Sequence, residues 1–124
     1  MHLNFHKKAD SYFKHSEWIK KHDEYEEHNE WACHELAALF YEIVILAKWF
    51  LTSKNEKHSG HKEIFNSLMK VKEYEIANLF SLLYSASKRF RYQIIEISKK
   101  DREDFLKNYQ KARKLLYKKL NIRE

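Results

Sequence analysis

Residues 31–51 read Trp31-Ala32-Cys33-His34-Glu35-Leu36-Ala37-Ala38-Leu39-Phe40-Tyr41-Glu42-Ile43-Val44-Ile45-Leu46-Ala47-Lys48-Trp49-Phe50-Leu51, and their periodicity decides the fold. Ala32, Leu36, Leu39, Ile43, Leu46 and Phe50 recur at spacings of three and four, so they share one side of a helix. Cys33, Ala37, Phe40, Val44, Ala47 and Leu51 form a second stripe beside the first. Two adjacent stripes make an apolar face wide enough to meet two or three neighbouring helices, which predicts a central helix. The most apolar part, Leu36 to Leu51, contains Glu42 and Lys48. A stretch that short and that charged is expected to be a core helix and not a membrane span.

The remainder of the chain also reads as helix. Its 124 residues include one glycine, Gly60, and no proline, whereas sandwiches and barrels need such residues repeatedly at tight corners. That length is the size of one domain, so residues 1–124 are read as a single helical bundle. A first helix is expected over Leu3 to Lys21, with Phe5, Ala9, Tyr12, Ser16 and Ile19 turned inward. A polar break follows over His22 to Tyr25, where Asp23 and Glu26 make a capping box for the central helix. Thr52 to His61 is expected to be a loop, with Ser59 capping a short helix that turns Ile64, Phe65 and Leu68 inward. A long helix from about Glu73 carries Ile76, Leu79, Phe80, Leu83, Ala86 and Phe90 on its core face. Tyr92 to Lys99 reads either as a helix end or as an extended connector. Ser98 and Asp101 form a capping box for the last helix, whose apolar face is Phe105, Tyr109, Ala112, Leu116 and Leu120. Long helices with short links predict an all-α, up-and-down bundle of four long helices plus a short one.

The net charge of +6 is unevenly spread: −3 over residues 1–35, +1 over 36–85 and +8 over 86–124. A basic C-terminal third favours an acidic partner, whether nucleic acid, nucleotide or acidic protein. The leading candidates for such contacts are Lys88, Arg89, Arg91 and Tyr92, where cations beside an aromatic suit phosphate contact with base stacking. A second basic stripe, Lys107, Lys111, Lys114 and Lys118, lies on the polar side of the last helix. His34 and Glu35, with Glu42 on the same face, are a candidate polar site or dimer seam. His58 and His61 sit in the glycine loop. Together with Cys33 they raise the question of zinc, but a His-x-x-His loop without a Cys pair is not a finger, and a lone Cys on a core face reads as a small hydrophobe. No metal and no cofactor is therefore expected, and one glycine cannot build a glycine-rich phosphate cradle. With one cysteine there is no internal disulfide, and residues 1–8 lack the apolar run of a signal peptide, so a reducing, cytoplasmic setting is expected.

Three segments, in this order, resemble the HEPN family of small helical domains. The first is the early helix Trp31-Ala32-Cys33-His34-Glu35-Leu36-Ala37-Ala38-Leu39-Phe40-Tyr41, with a His and an acid near its start. The second is His58-Ser59-Gly60-His61-Lys62-Glu63-Ile64-Phe65, a loop that opens a short helix. The third is Tyr84-Ser85-Ala86-Ser87-Lys88-Arg89-Phe90-Arg91-Tyr92, a helix ending in an Arg-Tyr pair. The resemblance covers nearly the whole chain. It implies a homodimeric bundle that acts on or with nucleotides or RNA, or pairs with a nucleotidyltransferase in toxin–antitoxin and defence systems. Many such domains are metal-independent ribonucleases, in which an Arg is followed about four to six residues later by a His; the His serves as acid or base toward the ribose 2′-hydroxyl and the Arg steadies phosphate charge.

Here the first Arg is Arg89 and the last His is His61, so no His follows any Arg. The family's ribonuclease motif is absent, and a non-catalytic domain binding RNA or nucleotide is the leading expectation. A scaffolding subunit anchored on a partner protein by Trp18, Trp31 or Trp49 is the alternative. A ribonuclease with a rearranged site, His34 or His61 meeting Arg89 or Arg91 in space, is a third reading.

Overall fold

A computed structural model describes residues 2–20, 29–92 and 97–123. Five helices follow one another: α1 (His2–Lys20), α2 (Asn29–Ser53), α3 (His61–Lys70), α4 (Tyr74–Tyr92) and α5 (Lys99–Leu120). The fold is all-α, and no strand occurs among the described residues. The break at residues 22–25 with its Asp23–Glu26 box, and the middle of the connector before α5, lie outside the described residues, as do the side chains of Ile19, Trp31, Ala32 and Tyr92.

Helix ends follow local chemistry. Ser98 and Asp101 form the expected capping box: the Ser98 hydroxyl accepts the Asp101 N–H at 3.0 Å and the Asp101 carboxylate accepts the Ser98 N–H at 3.3 Å. Asn121 ends α5 in the left-handed region, at φ 57°. The start of α3 corrects the sequence expectation. Gly60 is the cap residue and supplies no side-chain acceptor, while Ser59 donates both its N–H and its hydroxyl to Glu63 Oε1, each at 2.8 Å. The serine is drawn to a carboxylate one turn inside the helix instead of to the helix N–H groups.

Side-chain pairings set the directions. Tyr12 stacks on Tyr41 and His6 on Trp49, so α1 and α2 run antiparallel. The Cys33 thiol donates to the Phe90 carbonyl at 3.2 Å and Phe40 meets Phe80, so α2 and α4 are antiparallel as well. Arg89 pairs with Asp101 and Lys119 with Glu73, which turns α5 back along α4. The arrangement is up-down-up-down, with α3 between α2 and α4, and α2 touches every other helix. Leu36, Phe40, Ile43, Leu46, Ala47 and Leu51 of α2 are sealed in one core with Ile64, Leu68, Phe80, Leu83, Phe105 and Leu116. Cys33–Ser53 is long and apolar enough, by length and composition, to cross a membrane, which corrects the expectation that the stretch is too short; 67% of its most apolar 18 residues is nevertheless buried inside the bundle, as in a core helix.

The most apolar helix also carries two buried carboxylates, Glu35 and Glu42, at 2% and 0% exposure. Both face α5, which runs parallel to α2. Arg102 takes Glu35 with two hydrogen bonds, at 3.1 and 3.2 Å. Glu42 accepts from the Tyr109 hydroxyl and from Arg113 Nε at 3.2 Å. Arg113 lies between the rings of Phe13 and Tyr117, 4.6 and 4.3 Å from their centroids, and also donates to the Tyr117 hydroxyl. Loss of hydration holds the Glu42 carboxyl above its usual range despite the Tyr109 and Arg113 hydrogen bonds. Burial and the adjacent carboxylate push the Tyr109 phenol upward, so it remains a donor.

Removing one partner strands a desolvated charge, whereas replacing the set with apolar groups removes both the attraction and its desolvation cost. Arg113→Ala is expected to lower unfolding free energy by about 3–5 kcal/mol. The combination Glu42→Leu, Tyr109→Phe and Arg113→Met is expected to lie within roughly 1 kcal/mol of the parent or above it. Denaturant unfolding of both variants checks the contrast.

Candidate functional site

A different polar group gathers on another side of α2, where α4 and the first turn of α3 meet it. Tyr41 and Lys48 lie seven residues apart on α2, and Tyr84 and Arg91 lie seven apart on α4; each pair occupies one helix face. Arg91 Nη1 donates to the Tyr41 hydroxyl at 2.8 Å, its guanidinium lies 5.6 Å from the Tyr41 ring, and its Nε donates to the Ser87 carbonyl at 3.3 Å. The arginine is thus laid back along its helix toward α2. Tyr12 of α1 stacks on Tyr41, with centroids 5.5 Å apart.

His61, the first residue of α3, lies beside this pair. Its ring is 4.6 Å from Tyr84, 5.5 Å from Phe40 and 6.1 Å from Phe80. A cleft of about 230 Å³ opens here, lined by His61, Lys62, Phe65, Phe80, Ser81 and Tyr84, with no acidic side chain in its walls. His61 Nδ1 is buried without a hydrogen-bond partner. The imidazole pKa is lowered from 6.5, first by burial and then by the positive charges of Arg91 and Lys48. A neutral imidazole, two cations from separate helices and several aromatic rings therefore share one small region.

The sequence-derived candidates separate in space. Arg91 belongs to this junction, and Lys88 is exposed on the same helix. Arg89 turns the other way, to Asp101 at 3.6 Å. Lys107, Lys111, Lys114 and Lys118 are all exposed on the outer side of α5. His34 is exposed, whereas Glu35 is closed inside against Arg102 of the same chain, so the two neighbours lie in different surroundings. Of the tryptophans, Trp18 is exposed and Trp49 is half-buried against His6. His58 bonds Thr52 Oγ1 at 2.9 Å and meets Phe5 edge-on. No group of three or more His, Cys, Asp or Glu suited to a metal occurs among the described residues.

Tyr41 and Lys48 were not singled out by sequence. They sit within the apolar helix, and only the antiparallel pairing of α2 with α4 brings them opposite Arg91 and Tyr84. A larger cleft of about 450 Å³ between α1, α2 and α5 is lined by Phe13, Glu35, Arg102, Tyr109, Arg113 and Lys114, among others; Glu35, Arg102 and Arg113 in its walls belong to the ion pairs described above.

Because the folded state holds His61 neutral, its contribution to stability is fully present above pH 6.5 and is lost as pH falls through the lowered folded value. A two-dimensional NMR titration should place the His61 midpoint below 6.5, and Arg91→Ala should move it back upward. A His61 midpoint unmoved by Arg91→Ala would show that the two groups are not electrostatically coupled.

Comparison of the chain with protein-family models, with curated proteins and with solved structures finds no match in any of the three.

Proposed function

We propose that this domain binds RNA or nucleotide at the α2–α3–α4 junction, as a HEPN-like module without the family's Arg-to-His motif. One observation carries the reading: Arg91 and Lys48, from different helices, both act on the neutral His61 beside an aromatic cleft without acidic walls. Cations attract a phosphate backbone without regard to sequence, and aromatic faces accept unstacked bases. Lys88 extends the positive surface along α4, and the lysine stripe of α5 adds a second, weaker region. Carboxylates already hold Arg89, Arg102 and Arg113, so these three arginines contribute to the fold more than to a ligand. The resemblance further suggests a homodimer, or a complex with a nucleotidyltransferase, in a toxin–antitoxin or defence setting within the cytoplasm.

The same junction supports a second reading. A neutral imidazole near a guanidinium has the groups needed for acid–base attack by a ribose 2′-hydroxyl on its own phosphate, which would make the domain a ribonuclease with a rearranged site. His61 takes the place of the missing histidine in that reading, and His34 does not.

Fluorescence anisotropy with a short single-stranded RNA, repeated across a salt series, tests binding. Arg91→Ala and Lys48→Ala should each weaken affinity and reduce the salt slope by about 0.7–1 per lost phosphate contact. Arg89→Ala should change both less, since Asp101 already offsets its charge. Affinity that is unchanged in the first two variants removes the junction from the proposal. Shortening of the RNA during incubation, abolished by His61→Ala, would favour the ribonuclease reading.

A further inference from the structure

We infer that Tyr41 is the positioning residue of this site: backed by the ring of Tyr12, it holds the Arg91 guanidinium against α2 on the side where His61 lies. The inference deepens the RNA- or nucleotide-binding reading, on which its RNA measurements rest, and adds what fixes the place of the cation. Arg91 belongs to the last turn of α4. Its Nε donates to the Ser87 carbonyl at 3.3 Å, a bond within α4 that does not tie the side chain to α2. Its Nη1 donates to the Tyr41 hydroxyl at 2.8 Å, and the guanidinium lies 5.6 Å from the Tyr41 ring centroid. The oxygen and the ring of one tyrosine thus both meet the cation across the helix pair.

Tyr41 is itself held. It is half-buried on α2, and Tyr12 of α1 stacks on it with the ring planes 30° apart. The next residue of α1, Phe13, lies 4.6 Å from the Arg113 guanidinium of α5. Two consecutive residues of α1 therefore reach two different arginine groups beside α2, and the seat of α1 fixes the ring that fixes Arg91. An arginine held before a ligand arrives loses less side-chain freedom when it meets a phosphate, so such a hold raises affinity without a new ligand contact. The two cations that act on His61 are Arg91 and Lys48. Lys48 is part of α2, whereas Arg91 comes from α4 and depends on a tie across the helices.

NMR titration of His61 in the intact chain and fluorescence anisotropy with a short single-stranded RNA test the inference together. Tyr41→Phe removes the hydroxyl and keeps the ring. It should move the His61 midpoint upward, in the direction of Arg91→Ala but less far, and should weaken RNA binding about two- to ten-fold, the worth of one hydrogen bond. Tyr12→Phe keeps the stacking ring and should behave as the parent, whereas Tyr12→Ala should shift both readouts as Tyr41→Phe does. In an Arg91→Ala background, Tyr41→Phe should change neither readout. A His61 midpoint that Tyr41→Phe leaves in place overturns the inference, and the binding reading still stands if Arg91→Ala weakens RNA binding. Losses from Tyr41→Phe that persist at full size in the Arg91→Ala background also overturn it, since Tyr41 then acts by another route. Tyr12→Ala without effect overturns the part assigned to Tyr12. A midpoint that moves as expected in a chain that binds no RNA supports the hold on Arg91 and removes the RNA reading alone.

Discussion

Two carboxylates on the most apolar helix are buried, and much of the bundle is arranged to answer them. Glu35 and Glu42 are seven residues apart on α2 and so project from the same side. A carboxylate in an apolar interior costs several kcal/mol unless charge and hydrogen bonds are supplied. Here α5 supplies both, through Arg102 at one level and Tyr109 with Arg113 at the next. Residues 102, 109 and 113 repeat the helical spacing of 35 and 42, so the two helices meet in one parallel register. A slide of α5 by one turn would take Arg102 away from Glu35 and would remove one of the two partners, Tyr109 or Arg113, from Glu42. These ion pairs therefore fix register more than they add net stability, since apolar packing of equal volume would hold the helices as well.

Register in turn positions the second polar group. Because α5 is locked to α2, and α4 is paired with α5 through Arg89–Asp101 and Lys119–Glu73, the end of α4 is brought against the first half of α2. Arg91 then reaches Tyr41, and Tyr84 reaches His61. The two polar groups differ in kind. The one facing α5 is compensated, with each buried acid met by a guanidinium. The one facing α3 and α4 lowers the pKa of a histidine by neighbouring positive charge and leaves a buried imidazole nitrogen without a partner. Perturbed titration in a cleft marks a candidate site with a physical rationale, whereas compensated ion pairs more often serve structure.

Much of the architecture was legible before any coordinates. The double stripe from Ala32 to Leu51 gave a central helix, and Leu36, Leu39, Ile43, Leu46 and Phe50 are indeed buried. The Ser98–Asp101 box appears as expected, because a capping box is a local matter of three residues. Ser59 did not cap α3, because Glu63 offered its hydroxyl a charged acceptor within one turn. The basic residues of the last third were visible as composition, yet sequence could not divide them. Arg89, Arg102 and Arg113 went to carboxylates, and the lysines of α5 to the surface.

The sequence by itself determined that the chain is helical, where the long helices lie and which faces they bury, because these follow from the spacing of apolar residues along one segment. It also shows that within residues 1–124 no His follows an Arg. Tertiary structure decided which charges are neutralised and which surround a cleft. Glu42 is 71 residues from Arg113, and Tyr41 is 50 from Arg91. No local pattern encodes such partners. They are selected by helix direction and register, to which the pairing of the α2 carboxylates with α5 contributes.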